Sequence, residues 1–252
     1  MTTPSWLDPA TEIVNNDQPQ AYKALDDITK SIVFILTSYK ALKQANPILT
    51  PQQNFWIIGN AIAETGWGRL WRGYNFGGWK ITKDFATSFK KANGRSARWW
   101  QAQGHVNSGD EPIVYYRGYE NPSQFYIEWL TRFVPQAASS THRYAKTGAA
   151  FWKPEDSWFR ELCLAGYKGA VTQANPDKSI ESWKQVLKLA EVRVAQYLLK
   201  VKVDGAWGPR SQAACDAFAR QKNLPTGKLT IEIVAALIDE WEKQGSVLPA
   251  SL

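Results

Sequence analysis

The segment AIAETGWG, residues 61–68, holds a single carboxylate, Glu64, between an apolar run and a glycine-punctuated aromatic stretch. We predict a helix that ends near Thr65, because the two glycines that follow are residues on which helices commonly terminate. Glu64 would then lie in the last turn, where exposed carbonyl groups disfavour an anion, and Trp67 and Trp71 would bury it in part.

A carboxyl group that keeps its proton near neutral pH is what general-acid cleavage of a glycosidic bond requires. Position in the sequence alone leaves a second interpretation of Glu64 open, a solvated glutamate at a frayed helix end. The residue types around Glu64 therefore indicate a candidate acid without identifying its substrate.

Other site chemistries have less support in the sequence. It contains neither HExxH nor a glycine-rich phosphate loop, and its only histidines are His105 and His142, so we expect no metal and no cofactor. Cys163 and Cys215 belong to no CxxC pair and are predicted to be free, buried thiols. A Cys–His or Ser–His arrangement stays open, because its members meet only in the folded chain.

Composition and charge suggest partners without naming one. The chain of 252 residues has 13 Trp, 10 Tyr and 10 Phe, which fits core packing or rings that stack on sugars, and its net charge of +7 attracts polyanions. The run KKANGRSARWW, residues 90–100, mixes basic and aromatic residues as nucleic-acid-binding surfaces do, although a solvated loop with a few packed rings has the same composition.

The elements that must position Glu64 follow from hydrophobic periodicity and capping signals. Thr50 as a cap, Pro51 at the first helical position and Gln53 three residues after the cap predict the start of the helix that carries Glu64. Between residues 74 and 119 glycines punctuate short strand-like runs, which predicts a loop-rich lobe with a small β-hairpin. The other predicted helices cover residues 17–44 with Asp17 as the cap, 122–134, 154–165 and 179–200, and residues 168–178 are predicted to form a loop.

The final third of the chain has a different sequence pattern from the rest. Short turns alternate with two amphipathic helical patterns, and with the preceding EVRVAQYLL they predict a compact three-helix module from about residue 188. The N-terminal segment lacks the basic start and apolar core of a secretory signal, and the apolar stretch at residues 31–39 is too short to span a bilayer. We therefore expect a protein made in the cytoplasm without a signal peptide, and no stable membrane insertion.

The segment NAIAETGWGRLWRGYNFGGWKI resembles the catalytic signature of glucosaminidase-type peptidoglycan hydrolases, glycoside hydrolase family 73. In that family a helix ends in (A/S)-x-x-E-(S/T)-G-W-G, and Y-N-x-F-G-I-K follows shortly. Residues 64–68 match the first element. The second element is matched by Tyr74, Asn75, Gly78 and Lys80, whereas Gly77 and Trp79 stand where the family more often has Phe and Ile.

The similarity continues downstream in the order of the family, over about residues 51–188. YYRGYENPSQFYIEWLTRF resembles the F-R-x-Y-x-S-x-x-E-S stretch, HRYAKTG the R-Y segment and LCLAGYKG the A-G-Y segment. The resemblance implies that Glu64 protonates the glycosidic oxygen and that Tyr167 is an active-site tyrosine. It further implies sugar contacts from the aromatic and amide residues Tyr74, Asn75, Trp67 and Tyr119, although a structural role is equally open for Tyr74 and Tyr167.

A second acid is harder to locate. Glycosidases commonly use two carboxylates, and the family carries its second one on the β-hairpin lobe. Asp110 and Glu111 fit that location best, with Asp84 and Glu120 as weaker candidates, while an adjacent DE pair is also common in turns. If the substrate's own N-acetyl group assists the reaction, no second carboxylate of the protein need lie close.

The C-terminal segment VDGAWGPRSQAACDAFARQKNLPTGKLTIEIVAAL resembles a small three-helix peptidoglycan-binding domain. Asp204, Gly205, Gly208, Ala214 and Phe218 match its V-D-G-x-F-G-x-x-T-x-x-A-V-x-x-F-Q pattern. Asp204 and Gly205 are best explained as turn-forming residues, and the pattern assigns no ligand contact to them.

Together these resemblances imply a mainly α protein. Residues 1–187 would form a lysozyme-like α+β catalytic domain with a small β-hairpin lobe, and residues 188–252 a three-helix peptidoglycan-binding domain. We expect a monomeric glycoside hydrolase that acts on peptidoglycan glycan strands at the cell wall after release or delivery, as a phage endolysin or a secretion-system effector does, and that does not bind nucleic acid. An endo-N-acetylglucosaminidase is favoured; a muramidase, a lytic transglycosylase and a non-catalytic wall-binding or virion protein remain alternatives.

Overall fold

The computed structural model describes residues 3–14, 18–103, 113–136, 139, 141–153, 157–167, 169–245 and 247–249. Within these residues the chain is mainly α-helical, with one two-stranded antiparallel sheet. The helices are α1 (Gln20–Lys23), α2 (Asp27–Ala45), α3 (Pro51–Thr65), α4 (Lys83–Asn93), α5 (Pro122–Phe133), α6 (Ala145–Trp152), α7 (Trp158–Leu164), α8 (Ala170–Ala174), α9 (Pro176–Leu198), α10 (Pro209–Gln221) and α11 (Ile231–Lys243). The strands are β1 (Arg98–Gln103) and β2 (Ile113–Gly118).

The helix predicted over residues 17–44 is two helices, α1 and α2, and the prediction of one element was wrong. Asp26 caps α2, because its carboxylate accepts hydrogen bonds from the backbone N–H groups of Ile28 and Thr29, both at 2.9 Å. The hydrogen bonds of a capping aspartate start a new helix at that residue. The helical spacing of apolar residues continues across this break, so it did not indicate two helices. The predicted cap, Asp17, lies outside the described residues.

Helix α3 confirms the predicted start and end. Thr50 and Gln53 form a capping box in which each side chain accepts the other residue's backbone N–H. Gly66 ends the helix with a left-handed conformation, φ 54°. This helix is buried along most of its length, and it packs against α2 and α9. Its C-terminal end is therefore held by the core rather than frayed.

The β lobe has a small core of its own. Strands β1 and β2 pair in the register Arg98 with Gly118 through Gln103 with Ile113, which confirms the predicted hairpin. The segment around Trp79 runs beside β2, because the N–H of Arg117 donates to Trp79 O at 2.9 Å. One buried cluster in the lobe consists of Leu7, Ile81, Ala86, Ala97 and Trp99.

Helix α4 lies in this lobe, where the sequence predicted only loops and strands. Thr82 caps its first turn and Gly94 ends it at φ 66°. Among its eleven residues only Ala86 is fully buried, with Phe85 and Phe89 partly buried against the lobe core. An apolar face this narrow is weak evidence for a helix in sequence, which is why the pattern missed it.

The remaining helices agree with the prediction in part. Helix α5 and the described part of the helix predicted over residues 154–165 occur as expected, and α6 was not predicted. The segment predicted as a loop, residues 168–178, contains α8 and the start of α9. Short helices such as these form through tertiary packing more than through their own propensity.

The C-terminal helices pack on the rest of the chain. Helix α9 is continuous across the predicted boundary between residues 187 and 188. Its Trp183 stacks on Phe159 with ring centroids 4.5 Å apart, and α11 contacts both α9 and α3. Lys43 on α2 forms ion pairs with Asp239 and Glu242 on α11. One hydrophobic cluster includes buried residues of both sections of the chain.

Two further observations concern the described residues as a whole. Cys163 and Cys215 are both buried and neither forms a disulfide within the described residues, which confirms the prediction of thiols outside any disulfide. No helix within the described ranges has both the length and the apolar character needed to cross a membrane.

Candidate functional site

The end of α3 fixes the position of Glu64. The hydroxyl of Thr65 donates to Ala61 O at 2.8 Å and accepts the N–H of Gly68 at 2.9 Å, so the helix end and the following turn are tied together. Residues 66–68 all have positive φ, between 54° and 78°. The chain therefore leaves α3 in a tight left-handed turn and reverses direction next to Glu64.

Gly68 is the position in this turn that no other residue could fill without rearrangement. A Cβ there would lie 2.6 Å from the Phe34 side chain and 2.8 Å from the Tyr22 hydroxyl. The same Tyr22 hydroxyl donates to Gly68 O at 2.7 Å. The contacts of this turn with Phe34 and Tyr22 therefore hold Glu64 in place.

Glu64 itself is exposed, so the predicted partial burial was wrong. The two tryptophans after the turn pack against other parts of the chain. Trp67 packs under the guanidinium of Arg193, 4.5 Å from its ring centre, and Trp71 is buried against Tyr22 and Phe76. Neither ring is among the residues that line the cleft beside Glu64.

Glu64 opens onto a cleft of about 610 Å³. The cleft lies where the end of α3, the lobe and the segments after α5 and α7 come together. Its lining residues are Glu64, Gly77, Trp79, Arg132, Phe133, Arg143, Tyr144, Gly166, Tyr167 and Thr172. Among these described lining residues Glu64 is the one carboxylate.

Tyr167 is the second predicted catalytic residue that the structure places in this cleft. Its hydroxyl accepts a hydrogen bond of 2.7 Å from Nδ2 of Asn60, which stands four residues before Glu64 and therefore on the same face of α3. Its ring packs edge-on against Phe133, with centroids 4.6 Å apart. Burial, with a smaller contribution from the charge of Glu64, raises the pKa of Tyr167, so the phenol keeps its proton and can donate it.

Asn75 lies beneath the cleft surface and is buried. Its Nδ2 donates to Trp79 O at 2.9 Å and to Arg117 O at 3.1 Å, and its Oδ1 accepts the N–H of Trp79 at 2.9 Å. These three bonds fix the loop that carries Trp79 into the cleft. The amide of Asn75 thus has its partners within the lobe, and the sugar contact predicted for Asn75 stays a prediction.

Three other predicted sugar contacts also lie away from the cleft lining. Tyr74 stacks on Trp71, with centroids 5.3 Å apart and ring planes 18° apart. Tyr119 is buried, and its hydroxyl donates to Glu128 Oε2 at 2.8 Å; burial and the Glu128 charge raise the pKa of Tyr119. Trp67, as described above, packs under Arg193. These three side chains pack within the turn and the lobe, and their predicted sugar contacts stay predictions.

The candidates for a second carboxylate are not brought to Glu64 within the described chain. Asp110 and Glu111 lie outside the described residues. Asp84 is exposed in the first turn of α4, and Glu120 is exposed and pairs with Arg95. Neither Asp84 nor Glu120 lines the cleft.

The arginines and aromatic rings of the cleft were missed by sequence reasoning. Arg132 lies in the last turn of α5, with its guanidinium 5.6 Å from the Trp79 ring centre and 5.5 Å from that of Phe133. Arg143 lies 5.5 Å from the Tyr144 ring centre and donates from Nε to Ala165 O. The R-Y match drew attention to HRYAKTG without giving Arg143 a role, and no motif marked Arg132.

The basic and aromatic run at residues 90–100 packs its two tryptophans within the lobe. Trp99 is fully buried, and its Nε1 donates to Asp8 O at 2.8 Å. Trp100 stacks on Tyr116 across the hairpin, 4.3 Å between centroids. Trp99 is therefore part of the lobe core, whereas Trp100 is half-buried and packs within the hairpin.

Comparisons with known proteins assign the chain to no family. No family model matches it, no curated protein matches it, and no solved structure matches it.

Within the described residues, no three His, Cys, Asp or Glu side chains cluster in a way that could hold a metal ion.

Proposed function

We propose that this protein is a peptidoglycan hydrolase that cleaves the β-1,4 glycan backbone of the bacterial cell wall, most favourably as an endo-N-acetylglucosaminidase on a lysozyme-like fold. The observation that carries the proposal is the place of Glu64. It is a carboxyl group fixed at the rigid end of a buried helix, facing a cleft that also contains aromatic rings and a phenol. A glycan strand suits such a cleft because rings stack on sugar faces and a carboxylic acid protonates the leaving oxygen.

In the proposed reaction Glu64 donates its proton to the glycosidic oxygen as the bond to the anomeric carbon breaks. Tyr167 stands in the same cleft as a neutral phenol, since its oxygen already accepts from Asn60 and its own hydrogen remains to be donated. A phenol hydrogen bond to the substrate would orient the sugar against Glu64. Trp79 would offer its ring as one wall.

The group that acts on the other side of the anomeric carbon comes from one of two sources in this proposal. One source is a carboxylate that activates water, for which Asp110 and Glu111 are the candidates. The other is the N-acetyl group of the substrate. The single carboxylate in the described cleft lining is compatible with either source.

The C-terminal helices α10 and α11, with the end of α9, are proposed to bind the wall and so to raise the local concentration of the glycan at the cleft. The net charge of +7 would favour approach to an anionic wall. We further propose that the protein acts as a monomer without a cofactor, and that it reaches the wall as a phage endolysin or a secreted effector does.

Lysis of purified sacculi tests the assignment of Glu64. The change Glu64→Gln keeps the size of the side chain and removes its acid, so turbidity loss should slow by about 100- to 10,000-fold. Glu181→Gln, an exposed change on α9, is the matched control and should lyse at the normal rate. Unchanged lysis by Glu64→Gln would remove Glu64 from the mechanism. If neither form lyses sacculi but both pellet with them, the protein is a non-catalytic wall binder.

Mass spectrometry of the reduced products identifies the bond that is cut. Reduced N-acetylglucosamine ends are expected. Reduced muramic acid ends would indicate a muramidase, and anhydromuramic ends a lytic transglycosylase. The same products from Asp110→Asn and Glu111→Gln variants would identify which acid, if either, serves as the second group.

A further inference from the structure

The cleft beside Glu64 contains two exposed guanidinium groups, those of Arg132 and Arg143. Arg132 is exposed and contacts rings, those of Trp79 and Phe133. Arg143 lies over the Tyr144 ring and gives one N–H to a backbone carbonyl. Within the described ranges of the chain, neither arginine forms an ion pair with an aspartate or a glutamate.

Both arginines converge on the same part of the cleft wall. Burial raises the pKa of Tyr144, and the positive charges of Arg143 and Arg132 both oppose that rise, so both act on one phenol. Arg143 is also fixed in place, because its guanidinium lies against the backbone of Gly166, where a Cβ would overlap it. Gly166 has φ 81°, a conformation that glycine adopts without strain.

A neutral sugar would not need this arrangement. Hydroxyl and acetamido groups are satisfied by neutral partners, whereas a pair of guanidinium groups matches the geometry and charge of a carboxylate. The bond to Ala165 O uses one N–H of Arg143, and a guanidinium group has five such donors, so others remain for a ligand. The site is therefore built for an anion next to the acid that would cleave the glycan.

We propose that Arg132 and Arg143 form a subsite that binds a carboxylate carried by a saccharide unit beside the scissile bond. This inference rests on the proposed function, because Glu64 then marks where that bond lies. In peptidoglycan such a carboxylate has two sources, the lactyl ether of a stem-free muramic acid or the peptide stem attached to it. The subsite distinguishes wall glycan from uncharged β-1,4 glycans.

Hydrolysis of three matched glycan strands tests the subsite. The first strand carries intact peptide stems, the second has been stripped by an amidase so that lactyl carboxylates are free, and the third is the stripped strand with those carboxylates converted to methylamides. The wild-type kcat/KM should be about 10- to 100-fold higher on the carboxylate-bearing strand than on the methylamide, in line with a hydrogen bond to a charged group. Preference for the stripped strand identifies the lactyl group, and preference for the intact strand identifies the stem.

The variants assign the preference to the arginines. Arg132→Gln should lose about 10- to 100-fold in kcat/KM on the preferred strand and little on the methylamide, and Arg132→Lys should recover part of the loss. Lys91→Gln, which removes one charge from an exposed position on α4 outside the cleft, is the control and should not change the ratio. For Arg143→Gln both kcat/KM and the thermal midpoint are measured, because Arg143 also donates a hydrogen bond to Ala165 O and its loss affects stability.

Equal losses by Arg132→Gln on all three strands, or equal wild-type rates on them, would overturn the subsite. Binding measurements separate a failure of the subsite from a failure of the proposed function. The Glu64→Gln protein is titrated with the same strands, alone and combined with Arg132→Gln, so no turnover is needed. Carboxylate-dependent binding that Arg132→Gln removes supports the subsite even if the wild type hydrolyses nothing, and binding without that dependence contradicts it.

Discussion

Single residues divide into those that face the cleft and those that hold it. Glu64 and Tyr167 line the cleft, and Asn60 joins them by supporting the Tyr167 hydroxyl from the same helix as Glu64. Asn75 acts one layer below, where three hydrogen bonds of its amide fix Trp79. Residues that match the catalytic signature therefore occupy two kinds of place, the cleft lining and the layer beneath it.

The phenol of Tyr167 provides a prediction at the residue scale. Tyr167→Phe keeps the ring on Phe133 but removes the hydroxyl that would orient the sugar, so we expect sacculus lysis to slow by about 10- to 100-fold. The unpaired Asn60 amide should also cost about 1–3 kcal/mol of unfolding free energy. The measurements are the lysis rate and a urea unfolding curve.

A companion change separates the two effects of Tyr167→Phe. Asn60→Ala should lower stability without removing the phenol proton, and its lysis rate should fall less than that of Tyr167→Phe. If the two variants lose the same activity, Tyr167 acts only by packing, and its assignment to the site is wrong.

At the scale of elements, the end of α3 and its turn decide where the acid stands. The capping box begins the helix, the core packs along it, and the left-handed residues 66–68 end it against α2. Trp67 adopts φ 64° without being glycine, a strained conformation that the cation–π contact with Arg193 helps to hold. A rigid turn is useful here because general-acid catalysis depends on the position of one oxygen.

Gly68→Ala tests this turn. The new methyl group would meet Phe34 and the Tyr22 hydroxyl and would have φ 78°, so we expect a loss of about 2–4 kcal/mol in unfolding free energy and slower lysis. Gly94→Ala at the end of α4 is the matched control, because it has φ 66° but no atom within 4 Å of the new Cβ. It should lose only about 1–2 kcal/mol and keep its activity. Equal losses in the two variants would attribute the effect to φ alone.

At the scale of the whole molecule, α9 joins the cleft section to the C-terminal helices. The helix packs on α3, α7 and α11, and one hydrophobic cluster includes both sections. Glu191 lies on this helix with 15% of its side chain exposed, 4.0 Å from Lys188 Nζ. Burial, which the charge of Lys188 opposes and that of Glu232 on α11 assists, raises the pKa of Glu191 from its ordinary 4.5 to about 7.

This shift predicts how stability depends on pH. Between pH 4.5 and 7 the folded protein holds a proton on Glu191 that the unfolded chain has released, so the free energy of unfolding falls as the pH rises. The loss is on the order of 3 kcal/mol by pH 8, at 1.36 kcal/mol per pKa unit. Glu191→Gln should remove this dependence and make the protein more stable than the wild type at pH 8 but not at pH 4.

Thermal midpoints at pH 4 and pH 8 measure the effect of Glu191→Gln. Glu181→Gln, an exposed change on the same helix, is the control and should follow the wild type at both pH values. A Glu191→Gln protein that keeps the full wild-type pH dependence would mean that Glu191 is ionised in the folded state at neutral pH.

Much of the fold could be predicted from local patterns. Helix α3 has a Thr-Pro-x-Gln start and a glycine end, and the hairpin and α5 have clear strand and helix periods, so those elements were correct. The break between α1 and α2 was missed because the apolar spacing continues through Asp26. The hydrogen bonds of the Asp26 side chain nevertheless begin a separate helix there. Helices α4, α6 and α8 were missed because they are short or bury few residues, and such helices depend on contacts with distant parts of the chain.

The sequence by itself determined that Glu64 stands at the end of a buried helix and that glycines turn the chain there, because caps and turns depend on neighbouring residues. Only the tertiary structure decided what surrounds that acid. Tyr167, Arg132 and Arg143 reach the cleft from separate segments, and Trp67 and Trp71 pack against other parts of the chain. Such encounters depend on how helices and lobe pack over long sequence separations, which no local pattern contains.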